Sequence, residues 1–111
     1  MTTKKIFHSE HLIQVRCIAE FRNEYERKGL GVIIPVPNEL AAKRRDIAIC
    51  IGASDLIVVL NGKVLFCELK TAYNSQSPAQ IAFQATVQAL GFEYKIIRSL
   101  EEFKEYISLH L

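Results

Sequence analysis

Apolar residues recur every three to four positions from 9 to 28, where Leu12, Ile13, Cys17, Ile18, Phe21 and Tyr25 form one stripe. That period predicts a helix capped by Ser9 and stopped at Gly29, with the stripe turned to the core. Gly31-Val-Ile-Ile-Pro35 reads as a short strand, after which Pro37-Asn38 turns the chain toward a short helix over 39–49. That helix is ambiguous, because Ile47-Ala-Ile-Cys-Ile51 could also extend. Two apolar runs then flank Asn61-Gly62, a pair that favours a two-residue type I′ hairpin because both central positions need positive φ. Ser77-Pro-Ala-Gln80 is a capping box opening a helix from Pro78 to Leu90, with Gly91 at its C′ position. Glu93 to Arg98 is a fourth strand, and Ser99-Leu-Glu-Glu102 opens a last helix with Leu100, Phe103 and Ile107 inward.

The hairpin carries the candidate chemistry. With Asn61 and Gly62 as the loop, Leu60 faces Lys63, and counting outward along both strands sets Asp55 opposite Glu68. Opposed residues project from one face with Cβ atoms about 4.5 to 5.5 Å apart. Lys70, two residues on, shares that face. Along the rest of the hairpin Ile57, Val59, Val64 and Phe66 point one way, and Leu56, Val58, Leu60, Leu65, Cys67 and Leu69 the other, as in a strand pair covered on both sides. Opposed carboxylates repel, and a hard divalent cation bound by oxygens removes the conflict. Lys70 would then hold an attacking water or offset charge developing on a phosphate. The simpler alternative is that Asp55 starts a strand while Glu68 and Lys70 form a surface pair at its solvent end. A loop centred on Asn61-Gly62-Lys63 would shift the register by one and turn Asp55 to the other face.

Gly52-Ala-Ser-Asp55-Leu-Ile, Glu68-Leu-Lys70-Thr, Ser77-Pro-Ala-Gln80 and Leu90-Gly91 follow one another in an order and spacing that resemble the virus-type replication-repair nuclease domain, VRR-NUC, of the PD-(D/E)xK superfamily. The resemblance covers nearly the whole chain. It implies a restriction-endonuclease-like α/β fold, a mixed four-stranded sheet flanked by helices, in one domain over 1–111. It also implies that Asp55 and Glu68 bind Mg²⁺ or Mn²⁺, that Leu69 offers its backbone carbonyl, and that Lys70 and Gln80 complete the catalytic set. Ser54 stands where the superfamily's name has Pro. An acidic residue on the first helix belongs to the same pattern, reaching the metal through water, with Glu10 matching its position best and Glu20 the alternative. Glu10 near a helix start is equally explained by the helix dipole, and Gln80 by its capping role.

Composition narrows the rest. At 111 residues the chain can bury roughly two-thirds of its unfolded surface as one domain. A hydrophobic fraction of 50% and a net charge of +2 give no general polyanion-binding character, so nucleic-acid contact falls to local patches. Lys43-Arg44-Arg45 is the densest basic run and the candidate phosphate contact, unless it is simply a solvated face. Cys17, Cys50 and Cys67 lack zinc-site spacing and read as reduced buried residues of a cytoplasmic protein. His8, His11 and His110 are scattered and take no role. No apolar run approaches membrane-spanning length, and no organic cofactor is implied.

The expected activity is a divalent-metal-dependent DNA endonuclease hydrolysing phosphodiester bonds, phage or prophage encoded on the resemblance. The resemblance further implies a structure-selective nuclease, with branched DNA such as four-way (Holliday) junctions as the leading substrate. A junction needs two coordinated cuts and the chain offers one site, so a homodimer is expected. The rivals are a catalytically decayed nucleic-acid-binding subunit and a nuclease of broad or RNA specificity.

Overall fold

The computed structural model describes residues 9–36, 52–71 and 73–111. Its elements follow the expected order: α1 (Glu10–Phe21), β1 (Gly31–Pro35), β2 (Leu56–Leu60), β3 (Lys63–Leu69), α2 (Pro78–Ala89), β4 (Glu93–Ile97) and α3 (Leu100–Ser108). The segment expected as a short helix, with Lys43, Arg44, Arg45 and Cys50, lies outside the described residues, as does His8.

The strands form one sheet in the order β1-β2-β3-β4, antiparallel except for the parallel pair β3/β4, whose crossover carries α2. The hairpin has the register its turn dictates. Asn61 and Gly62 both take positive φ, 51° and 73°, and Leu60 pairs with Lys63 and Leu56 with Cys67. Leu56, Val58, Leu60, Leu65, Cys67 and Leu69 therefore share one face and are fully buried. Against them pack Cys17 and Phe21 of α1 and Phe103, Tyr106 and Ile107 of α3. Among the described residues the opposite face is only half covered: α2 lies over β3 and β4, where Phe83 meets Phe66 and Tyr94 edge-on or tilted, while Val59 stays 38% exposed.

The first helix departs from the single run expected over 9–28. After Phe21 the chain widens into a π-helical turn, Arg22–Glu26, and Arg27 donates to the Arg22 carbonyl five residues back. Glu26 then accepts the Ile33 amide through Oε2 at 3.1 Å, occupying a donor of strand β1, which lies at the edge of the sheet. Leu12, placed in the core stripe by its spacing, is 37% exposed at the first turn.

The capping box at Ser77 forms in full, and the same Ser-x-x-Glu pattern at Ser99-Glu102 forms one in part. Ser77 accepts the Gln80 amide at 3.2 Å, and Gln80 Oε1 accepts the Ser77 amide at 2.8 Å. Ser77→Ala removes an N-cap and is expected to cost about 1 kcal/mol, read as a shift in urea midpoint. At the last helix Ser99 accepts the Glu102 amide, but Glu102 reaches one residue further back, to the Arg98 amide at 2.7 Å. The expected reciprocal bond to Ser99 is thus replaced by one to its neighbour. No helix among the described residues is long and apolar enough to cross a membrane.

Candidate metal centre

Asp55 sits one residue beyond the β2/β3 ladder, and its carboxylate turns across the hairpin to accept the Leu69 amide through Oδ2 at 2.7 Å. The loop that delivers it is fixed at both ends. Gly52, at φ +87°, lies so close to α2 that a Cβ there would stand 2.5 Å from the Ala79 carbonyl oxygen. Ser54, fully buried, donates its hydroxyl to the Leu56 carbonyl, and Gln14 of α1 donates to the Asp55 carbonyl. The position before Asp55 is thus held by a hydrogen-bonded serine.

Glu68 and Lys70 are not a surface pair. Glu68 is 0% exposed and Lys70 7%, with Lys70 Nζ 3.6 Å from Glu68 Oε2. Two donors hold the other carboxylate oxygen, Oε1: the Tyr94 hydroxyl and Gln76 Nε2, the latter at 3.1 Å. Gln76 in turn donates its second N–H to Gln84 Oε1 at 2.8 Å. Glu68 Oε2 is buried and has no hydrogen-bond partner. Tyr94 and Glu68 share the α2 face because β4 runs parallel to β3 with Phe66 opposite Tyr94 and Glu68 opposite Ile96.

Burial, more than repulsion between carboxylates, dominates the electrostatics of Asp55. Desolvation raises its pKa from 3.8 to about 6; the Leu69 amide opposes this, Glu10 and Glu68 raise it further and Lys70 lowers it. The folded state therefore holds the Asp55 proton more tightly than the unfolded chain. That contribution to stability is complete below about pH 4 and is lost as pH rises through about 6. Asp55→Asn keeps an acceptor for the Leu69 amide and removes the charge. It is expected to raise stability at pH 8 by on the order of 2 kcal/mol, with no gain at pH 4, as read by urea unfolding at the two pH values. Burial also pushes the Cys17 and Cys67 thiols up to about 12, so both remain protonated core residues.

Of the remaining residues singled out in the sequence, Glu10 faces the site. Its charge acts on Asp55, and its Oε2 accepts Asn74 Nδ2 at 2.9 Å. Glu20 instead lies 3.9 Å from Lys104. Gln80 has Oε1 committed to the helix cap. Arg98 fastens the loop after Lys70 by donating to the Thr71 and Asn74 carbonyls. Tyr94, Gln76 and Gln84 escaped the sequence reading, since only the parallel β3/β4 register and the path of the loop bring them to Glu68. His110 lies beside Lys63 and stacks edge-on against Tyr106, far from this chemistry in the fold.

The donor set suits a hard divalent cation: two partly or fully buried carboxylates, one with an unpartnered buried oxygen. Among the described residues no three His, Cys, Asp or Glu side chains are grouped closely enough to hold a metal ion. The side chains alone therefore offer Asp55 and Glu68, which matches Mg²⁺ binding by one or two carboxylates with other oxygens completing the shell.

The fold has solved counterparts. The chain is similar to a structure named VRR_NUC domain protein, with a TM-score of 0.72 at 16% identity over 96% of this chain and 91% of that one. It is also similar to a structure named VRR_NUC domain, with a TM-score of 0.64 at 20% identity over 92% and 97% of the two chains. The chain thus has the restriction-endonuclease-like α/β fold, a mixed four-stranded sheet flanked by helices, that the motif order implied. No family model and no curated protein matches it by sequence.

Proposed function

We propose that this chain is a divalent-metal-dependent endonuclease that hydrolyses DNA phosphodiester bonds. The observation that carries the reading is the buried Glu68-Lys70 pair beside Asp55, with Glu68 Oε2 out of water and without a hydrogen-bond donor. A structural ion pair would be expected to satisfy both carboxylate oxygens; this one leaves an oxygen directed at its cationic neighbour alone.

In this reading Asp55, Glu68 and the Leu69 carbonyl hold Mg²⁺ or Mn²⁺, with Glu10 reached through water. When bound, the cation lowers the pKa of water and stabilises charge on the phosphate oxygens. Asp55 is fixed by the Leu69 amide and Glu68 by Tyr94 and Gln76, so the two carboxylates are oriented before substrate arrives. Lys70, relieved of its full pairing with Glu68, directs its ammonium to the attacking water or to the phosphate oxygens. Gln80 joins the site only on the strength of the motif match, since its Oε1 serves the cap. Lys43, Arg44 and Arg45 are the proposed phosphate contacts ahead of the site.

Branched DNA, four-way junctions above all, is the proposed substrate, cut by a homodimer that supplies two sites. A panel of labelled linear, flap, splayed and four-way DNA in Mg²⁺ or Mn²⁺ tests this. Junctions cut in preference, by a species of twice the chain mass in light scattering, is the expected result. Preference for RNA or uniform cutting of linear duplex would overturn the substrate assignment, and no cleavage of any member would favour a decayed binding subunit.

A further inference from the structure

We infer that Tyr94 and Gln76 are positioning residues that reserve one oxygen of Glu68 for the protein and leave the other for a small divalent cation, so that the site favours Mn²⁺ and Mg²⁺ over Ca²⁺. The inference rests on the proposed metal-binding role of Asp55 and Glu68.

Glu68 Oε1 receives two hydrogen bonds from two different parts of the fold. Tyr94 comes from β4, its ring packed on Phe83 at a centroid distance of 6.3 Å. Gln76 comes from the loop before α2, and its amide is turned the right way because its second N–H is held by Gln84 at 2.8 Å. A carboxylate oxygen has about two lone-pair directions, and both on Oε1 are taken. Oε2 is buried and accepts nothing. The carboxylate cannot rotate without breaking bonds to two separate elements, so the division between its oxygens is built in. Ca²⁺ commonly draws on both oxygens of a carboxylate in a flexible shell of six to eight ligands, whereas Mg²⁺ requires a near-ideal octahedron of single oxygens. A Glu68 with one oxygen withheld fits the second demand and resists the first.

Isothermal titration of Mn²⁺ and of Ca²⁺ into the full chain, the Tyr94→Phe variant and the Gln76→Leu variant tests the inference. Tyr94→Phe keeps the ring against Phe83 and removes only the donor. Each variant is expected to bind Mn²⁺ about tenfold more weakly while its Ca²⁺ affinity moves by less than about threefold, narrowing the discrimination between the ions. Unchanged Mn²⁺ binding would overturn the positioning role, and equal weakening for both ions would overturn the selectivity and leave a structural role alone. Urea melts without metal establish that each variant is folded; should Tyr94→Phe unfold, Gln76→Leu, at a half-buried loop position, carries the test. Absence of Mn²⁺ binding by the unaltered chain is a separate outcome, which would remove the metal reading itself.

Discussion

Lys70→Met is expected to destabilise the protein by about 3 to 5 kcal/mol at pH 8, the usual cost of breaking a buried ion pair from one side. The pair is well out of solvent, with Glu68 at 0% and Lys70 at 7% exposure. Methionine replaces the lysine stem in length and bulk, so the loss reports the charge and not a cavity. What remains is a carboxylate whose Oε1 has Tyr94 and Gln76 but whose Oε2 has no compensation at all. Glu68→Gln combined with Lys70→Met should recover most of the loss, because it removes the second charge and keeps the acceptor for Tyr94. Urea unfolding of both variants at pH 8 measures this. A loss below about 1 kcal/mol at pH 8 would mean that the pair is effectively solvated.

Glu68→Gln is expected to lower metal-dependent DNA cleavage by at least about a hundredfold. A catalytic cation contributes several kcal/mol to the transition state, and each 1.36 kcal/mol is tenfold in rate. Glutamine can keep Oε1 as the acceptor for Tyr94 and Gln76, which preserves the local packing. It then sets an amide NH₂ where Oε2 stood, which cannot coordinate a cation and faces the Lys70 ammonium donor to donor. Single-turnover cleavage of labelled DNA, with circular dichroism to confirm the fold, measures the effect. A rate within about threefold of the unaltered chain would remove Glu68 from the reaction, since that change is under 1 kcal/mol.

The hairpin was legible because its information is local. Asn61-Gly62 fixes the turn, the turn fixes the register, and the register places Asp55 across from Glu68 without any knowledge of the remaining chain. Helix α2 was legible for the same reason, its start set by Ser77, Pro78 and Gln80. The partners of Glu68 were not. Tyr94 reaches it through a parallel pairing joined by a helical crossover, and no turn sets the register of such a pair. Gln76 and Gln84 looked like ordinary polar residues of a loop and a helix. The π-helical turn was equally hidden, since Ile18, Phe21 and Tyr25 keep the spacing of an uninterrupted helix while the backbone widens at Arg22 to bring Glu26 to strand β1. Burial of the Glu68-Lys70 pair was open in the sequence, where a surface pair read as well; the neighbouring β4 and the loop before α2 decide it.

One comparison bears most directly on the claim that Asp55 and Glu68 form a metal-dependent catalytic centre. The unaltered chain and Asp55→Asn are assayed side by side for cleavage of a labelled four-way junction in Mg²⁺, with EDTA as control, and both are unfolded in urea at pH 8 with EDTA and no Mg²⁺, so that bound metal does not enter the comparison. The predicted result is that the unaltered chain cleaves only with metal, while the Asn variant loses cleavage yet unfolds at higher urea, because the burial that raises the Asp55 pKa to about 6 makes its charge a cost to folding. Full metal-dependent cleavage by the Asn variant would contradict the account.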